Sequence, residues 1–318
     1  MNESTSPSAA VRVDNLVKRY GAFVAVDHIS FEIEPGEVFG LLGPNGSGKT
    51  TTIDCILQLL SYDKGEISLF GQPMAPTRYD LKRRLGVVPQ NIAVFDELTV
   101  RENIDYFCGL YVTDKARRAQ CVEAAIEFCG LEDFTAWRPK RLSGGLLRRL
   151  NIACGIAHKP DLAFFDEPTV AVDAQSRAQI LEGIRAMNQA GATVVYTSHY
   201  MEEVEELCDR VAILDHGHII AAGTVDELKA QVKAGETISV ELPELPDGLA
   251  QKLKAMPRCL QAAYKDHTLT VRCANGPHNL LDVLGVVRDC HGVPGRVWSQ
   301  PPTLNDVFLE LTGRELRD

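Results

Sequence analysis

Apolar and polar positions change rhythm several times along this chain, and each change marks an element. Between Val11 and Phe39 they alternate in twos, as at Ile29, Phe31 and Ile33, which predicts strands joined by a turn at Pro35-Gly36. Val38-Phe39-Gly40-Leu41-Leu42 is apolar almost throughout and predicts a buried strand. Beyond it, Ile53, Ile56, Leu57 and Leu60 recur at helical spacing. Asp63-Lys64-Gly65 then turns into a strand over residues 66–70. From about Leu98 to Ala157 the pattern is helical and poor in strands, as in an inserted helical subdomain. Strands return at residues 162–165, 193–197 and 211–214, and Asp215-His216-Gly217 reads as a hairpin turn. Turn chemistry also explains His216 and His218 better than a metal site, since no third ligand accompanies them. Strands alternating with helices imply a largely parallel α/β sheet.

The composition shifts near residues 229–236. Past that shift the chain reads as strand (237–242), helix (249–256), strands (260–264 and 268–273), helix (280–290), strand (295–299) and a last helix (304–311). That β-α-β-β-α-β order resembles the ferredoxin-like motif. It contains no catalytic cluster, so a small regulatory or dimer-forming domain is expected.

Composition narrows the class. The 318 residues leave room for one large or two medium domains, and 45% hydrophobic with 24% charged residues is ordinary for a globular protein. A formal net charge of -10 argues against nucleic acid as the main partner, because a phosphate backbone demands a basic face. No run reaches the roughly 18 apolar residues of a membrane span. Met1 to Ala10 is polar and Ser-rich, which predicts a frayed tail. The nine scattered cysteines form no C-x-x-C pair and read as reduced thiols.

Chemistry concentrates in Gly43-Pro44-Asn45-Gly46-Ser47-Gly48-Lys49-Thr50, which fits the G-x-x-x-x-G-K-[ST] pattern of a P-loop. Glycines let backbone N–H groups curl round a phosphate, and the helix N-terminus beyond them adds partial positive charge. Lys49 can reach the β- and γ-phosphates, and the Thr50 hydroxyl can ligate Mg²⁺. A second signal lies downstream. Leu142-Ser143-Gly144-Gly145 opens a helical stretch, and Leu162-Ala163-Phe164-Phe165-Asp166-Glu167-Pro168 comes after it. The apolar strand delivers Asp166 to its exposed end, where a carboxylate can hold the Mg²⁺ shell. Glu167 comes next, placed to act as general base on a water. Tyr196-Thr197-Ser198-His199 again ends a strand on a polar residue.

Together these motifs resemble the nucleotide-binding subunit of an ATP-binding cassette (ABC) transporter, over Val11 to about Glu227. The resemblance implies an adenine platform at Tyr20 and a phosphate loop from Gly43 through Thr51. It implies Gln90 as a Mg²⁺ ligand and sensor of the membrane partner. It makes Ser143, Gly144 and Gly145 the signature, Asp166 and Glu167 the metal-binding and catalytic carboxylates, Asp173 the D-loop aspartate and His199 the switch histidine. Ser143 can cap a helix whose glycine-opened N-terminus is a second anion site, which makes sense if it closes over the nucleotide of a second copy.

The fold class expected is therefore α/β: a P-loop ATPase core with an antiparallel β subdomain and a helical subdomain, plus a small C-terminal α+β domain. Its parts are a flexible tail (1–10), an ABC-type ATP-binding domain (11–232, helical subdomain about 91–157) and an accessory domain (237–318). ATP and Mg²⁺ are the implied cofactors. The implied partners are an integral-membrane permease subunit and a second cassette, with no nucleic acid, at the inner face of the cell membrane. The stretch 303–313 and Leu-Leu-Arg-Arg-Leu-Asn-Ile-Ala (146–153) resemble bacterial exporters of drugs, antibiotics, lipids or polysaccharides. The alternative is a non-transport cassette ATPase acting on a macromolecular assembly, disfavoured by the single cassette and acidic balance.

Two positions depart from the family. Leu146 stands where Gln is usual, which should weaken polar contacts there, and Ala171 replaces the usual Gly of the D-loop, which puts that backbone path in doubt. Arg148 and Arg149 read as a solvated helix face. Glu202, Glu203, Glu205 and Glu206 read as charges favouring a first helical turn. Phe95 is balanced between partner contact and subdomain packing.

Overall fold

The computed structural model describes residues 8–232 and 234–313. The expected frayed tail lies outside the described residues except at its end, and there Ala10 is fully buried. Its N–H donates to the Ile33 carbonyl and its own carbonyl accepts from Phe70, so Ala10 belongs to the fold. The chain divides into two compact units, one up to Thr224 and one from Val225, ahead of the change-over expected near residue 232. The boundary moves because the short helix α8 (Val225–Ala230) packs with α11 (Leu304–Thr312) of the second unit.

Two sheets build the first unit. β1 (Val11–Tyr20), β2 (Phe23–Ile33), β4 (Lys64–Leu69) and β5 (Gln72–Pro73) form an antiparallel sheet in the order β2-β1-β4-β5. The second sheet contains β3 (Val38–Leu42), β6 (Leu85–Val88), β7 (Leu162–Asp166), β8 (Thr193–Ser198), β9 (Arg210–Asp215) and β10 (His218–Thr224). Its order is β10-β9-β3-β8-β7-β6, parallel except for the β9–β10 hairpin. Strands β3, β7 and β8 are buried along their whole length, which is why their sequences are near-continuous apolar runs. One core joins both sheets, with Phe31 of β2 stacked on Phe39 of β3 at 5.4 Å between centroids.

Helices complete the unit: α1 (Lys49–Ile56), α2 (Tyr79–Lys82), α3 (Val100–Gly109), α4 (Lys115–Phe128), α5 (Gly144–Ile156), α6 (Ala174–Gln189) and α7 (Met201–Leu207). The helical stretch expected after β5 is α3 to α5, with short 3-10 turns at Glu132–Phe134 and Pro139–Arg141. A capping box starts α3, where the Thr99 hydroxyl accepts from the Glu102 N–H and Glu102 accepts from the Thr99 N–H. Helix α1 is shorter than its apolar spacing predicts. It closes after Ile56, where Gln58 turns left-handed at φ 55°, yet Leu57 and Leu60 still face the core. Strand β6 gave no signal in the sequence because Gly86 interrupts it. A Cβ there would lie 2.6 Å from Pro160 Cγ and 2.9 Å from the Gly155 carbonyl, so only Gly lets the strand meet the end of α5.

In the second unit, β11 (Ala234–Glu241), α9 (Leu249–Lys254), β12 (Cys259–Lys265), β13 (Thr268–Ala274), α10 (Asn279–Asp289) and β14 (Val297–Gln300) precede α11. The sheet order is β12-β13-β11-β14, all antiparallel. Ile238, Val240, Leu269 and Val271 pack beneath Leu249, Leu253, Val283 and Val287 in a core of apolar side chains.

Candidate nucleotide site

Parallel strands aim their C-terminal ends at one crevice, and in an open α/β sheet that crevice is where ligands bind. Here β3 runs into the glycine loop, β7 ends at Asp166, β8 ends at Ser198 before His199, and β6 runs into Pro89-Gln90. Gln90 therefore reaches the site through a strand that the sequence pattern did not reveal.

The glycine loop is held closely. A Cβ at Gly43 would lie 2.2 Å from the Leu214 carbonyl, and one at Gly48 2.7 Å from the Ala25 carbonyl. Gly46 needs its glycine for backbone reasons, with φ 79°. The loop leans on the β9–β10 turn, because Gly217 N–H donates to the Ser47 carbonyl at 3.0 Å. Gly217 is thus a supporting residue that the sequence showed only as a turn. Asn45 and Gly46 are exposed at the loop tip, Pro44 and Thr51 are half-buried, and Ser47 is buried. Ser47 Oγ has no hydrogen-bond partner among the described residues. An orphaned hydroxyl inside a glycine cradle fits a phosphate oxygen.

Opposite charges meet at the base of the crevice. Lys49 Nζ donates to the carbonyls of Gly43 (2.8 Å) and Pro44 (3.2 Å) and lies 3.1 Å from Glu167 Oε1. The two side chains of that pair are only 4% and 5% exposed. The other Glu167 oxygen accepts from Gln90 Nε2 at 2.8 Å, and His199 Nδ1 stands 3.6 Å from Oε1. Asp166 Oδ2 accepts from Thr50 Oγ1 at 2.9 Å, and Oδ1 accepts from Thr197 Oγ1 at 2.7 Å. Thr197 Oγ1 also accepts the Glu167 N–H, fixing Glu167 in a left-handed conformation at φ 46°. Such strain persists where surrounding structure over-determines it. The expected Lys49, Thr50, Gln90, Asp166, Glu167 and His199 thus converge beside the loop glycines. Thr197 joins them, although the sequence marked only its neighbours.

The remaining expected residues stand elsewhere. Tyr20 ends β1 with its ring exposed and Lys18 Nζ 5.0 Å from the ring centroid. Ser143 caps α5 by accepting the Leu146 N–H at 3.3 Å. Ser143 and Gly144 are both exposed, and a Cβ at Gly144 would meet nothing within 4 Å. Gly145 differs. A Cβ there would lie 2.4 Å from Ser176 Oγ and 3.0 Å from Asp173 Oδ2, so within this chain Gly145 admits the start of α6. Asp173 caps that helix, accepting from Ser176 N–H and Oγ at 2.9 Å each, and these bonds hold its carboxyl below the usual range. Ala171 sits at φ 59°, the left-handed conformation that a glycine adopts without strain.

Arg148 overturns its expected role. Arg148 is buried rather than solvated, and its Nη1 donates to the carbonyls of Gln90 (2.7 Å) and Pro89 (3.3 Å). Burial pushes its pKa down, against the opposing pull of Asp166 and Glu167. Asn151, one turn on, adds a bond to the Pro89 carbonyl at 3.2 Å and accepts the Ala93 N–H. Arg149 donates to the carbonyls of Cys129 and Gly130 at the end of α4. Glu203 lies in the first turn of α7, as expected, and is buried there among hydroxyls. The signal that could have marked Arg148 is its position three residues after Gly145 on the buried face of α5.

Comparison with known proteins agrees with this geometry. Residues 26–170 match the family model described as ABC transporter. The chain is 36% identical over 310 residues to the linearmycin resistance ATP-binding protein LnrL of Bacillus subtilis (strain 168), covering 97% of this chain and 100% of that protein. It is 38% identical over 316 residues to the Nod factor export ATP-binding protein I of Rhizobium meliloti (strain 1021), covering 98% of this chain and 90% of that protein. Among solved structures, an ATP-binding subunit of an ABC transporter superposes with a TM-score of 0.65 at 27% identity, over 70% of this chain and 92% of its own. A dimeric ATP-binding cassette in a post-hydrolysis state, bound to ADP and Pi, gives 0.62 at 25% identity, over 67% of this chain and 98% of its own. The chain belongs to the ABC transporter family, as an ATP-binding, ATP-hydrolysing subunit.

Proposed function

We propose that this protein powers export through separate membrane subunits, hydrolysing Mg-ATP in a head-to-tail pair of cassettes. The observation that carries the catalytic part is the buried Lys49–Glu167 pair beside Asp166 and Gln90. Burying two charges costs desolvation that their pairing only partly offsets, which fits a pair kept for function. In this reading the loop N–H groups, Ser47 and Lys49 hold the phosphates, and Thr50, Asp166 and Gln90 hold Mg²⁺. Asp166 is the single carboxylate in that set, which suits an ion bound largely through substrate phosphate oxygens. Glu167 accepts a proton from the attacking water, and His199 supports the transferred phosphoryl group. The name of the Nod factor export relative supports export over import.

The open Ser143-Gly144 face supports a composite site, since none of its described hydrogen bonds reaches the phosphate loop of its own chain. The C-terminal unit is read as an accessory domain. For the membrane partner, the aromatic group beyond Gln90 is the contact we favour: Phe95 is 42% exposed, edge-on to Tyr106 and stacked on Phe107. No described helix is long and apolar enough to cross a membrane; attachment at the inner face through that partner is part of this reading.

The test uses light scattering on Glu167→Gln. It should be monomeric without nucleotide and dimeric with Mg-ATP, and adding Gly144→Asp should abolish the dimer while nucleotide binding persists. A dimer indifferent to Gly144→Asp would remove the signature from the interface. Co-purification with its membrane partner should be lost in Tyr106→Asp, with ATP binding unchanged.

A further inference from the structure

The first turn of α7 carries a carboxylate that the nucleotide site does not use. Glu203 is 3% exposed, and one of its oxygens, Oε2, accepts from three hydroxyls: Thr169 at 2.8 Å, Tyr196 at 2.8 Å and Ser198 at 3.0 Å. Its other oxygen lies 3.2 Å from Arg177 Nε on α6, an ion-pair distance without hydrogen-bond alignment. Three O–H donors on one oxygen match an ionised acceptor, and hydrogen bonds to a charged group are the strong ones. Beside this carboxylate, in a buried position, the Tyr196 hydroxyl is held well above its usual pKa.

The donors stand at chosen places. Thr169 is two residues after Glu167 and begins the run into the D-loop. Ser198 immediately precedes His199, and its Oγ also accepts the Tyr200 N–H at 2.9 Å, so the backbone on both sides of His199 is tied to one hydroxyl. Arg177 is one turn into the helix that Asp173 caps, and its guanidinium lies 4.7 Å from the Tyr200 ring centroid. One carboxylate therefore stands behind the catalytic glutamate's segment, the histidine's segment and the D-loop helix.

We infer that Glu203 is a positioning residue for hydrolysis: it locks the Thr169 and Ser198 segments so that Glu167 and His199 keep a fixed separation. This rests on the catalytic reading of Glu167. Misplacing a reacting group by about 1 Å lowers rates by about 100-fold. A buried carboxylate with three hydroxyl donors restricts such drift far more than a packed apolar side chain.

The experiment measures steady-state ATPase activity, ATP affinity and thermal melting in the full chain. Glu203→Gln should lower kcat by about 10- to 100-fold with ATP affinity within about twofold of the parent. Ser198→Ala and Thr169→Val, which keep the fold's packing, should each lower kcat by a smaller factor. In a His199→Ala background the Glu203→Gln effect should shrink several-fold, because the geometry it maintains is already lost. Parental kcat in folded Glu203→Gln overturns the inference, as does a fall in affinity matching the fall in kcat, or a Glu203→Gln effect that multiplies undiminished on His199→Ala. Should Glu203→Gln not fold, parental kcat in both hydroxyl variants overturns it. Glu167→Gln is the control: turnover there sinks the catalytic reading, whereas an inactive control beside a fully active Glu203→Gln sinks the positioning role alone.

Discussion

The two units differ in what they bury. In the first, Lys49, Arg148, Asp166, Glu167 and Glu203 are all below the surface, with Thr197, Ser198 and Thr169 hydrogen-bonded to the Asp166 or Glu203 carboxylates. In the second, the buried polar side chains among the described residues are Ser239 and Asn279, neither of them charged. Its core is largely aliphatic, and its ion pairs, such as Arg272–Asp306 and Arg258–Asp282, keep some exposure. Both units use helices on a sheet, so the contrast is not one of architecture. An enclosed charge loses hydration that its partner only partly restores, whereas an aliphatic core gains by burial. The first unit accepts that loss at its strand ends, and the described core of the second does not.

Substitutions can break this contrast, beginning with the largest effect. Lys49→Ala strips the partner from buried Glu167 and the cation from the phosphate loop. ATP binding measured by calorimetry, or turnover, should be abolished; parental affinity together with parental turnover would remove the loop from the account. Arg148→Met deletes the donor to the Gln90 and Pro89 carbonyls. A lost bond from a charged donor is worth about 1.5–3 kcal/mol, so kcat should fall by about tenfold or more. A phosphate-release assay showing no change would make Arg148 an ordinary buried side chain. Ile238→Ala sharpens the comparison from the other side. Hydrogen exchange should report about 2–5 kcal/mol less stability in the second unit, with kcat per folded cassette unchanged. A parallel loss of kcat would show that the second unit shares in catalysis. The smallest effect belongs to Ala171→Gly, which relieves a left-handed alanine and should raise the stability of the first unit by about 1 kcal/mol in a melt. Destabilisation there would mean that the methyl group packs usefully despite its conformation.

Legibility in the sequence divides along the same line. The glycine loop, Asp166, Glu167 and His199 were visible because their chemistry demands fixed types at fixed spacings. The departure at Ala171 was visible too, and its backbone took the glycine conformation all the same. Strand β6 was hidden, since Gly86 looks like a breaker until Pro160 is seen against it. The burial of Arg148 and Glu203 was hidden for a shared reason. Each is a charged residue on a helix, where solvent exposure is the ordinary outcome, and only tertiary neighbours bury it. Gly145 was expected to clear space for a phosphate, but within its own chain it clears space for Ser176 and Asp173. In the second unit the alternation along β13 placed Leu269, Val271 and Cys273 inward without help from any motif.

In the proposed function the Glu167 carboxylate, buried just beyond β7, is there for proton transfer, and the rest of the account depends on it. Glu167→Gln keeps the shape and the Gln90 neighbour but cannot take a proton from water. Pre-steady-state phosphate release from purified chain, with ATP affinity measured in parallel, tests it most directly. The account predicts ATP binding close to the parental value and hydrolysis lower by about 10²–10⁴-fold. Hydrolysis at the parental rate, with ATP bound as tightly, would contradict it.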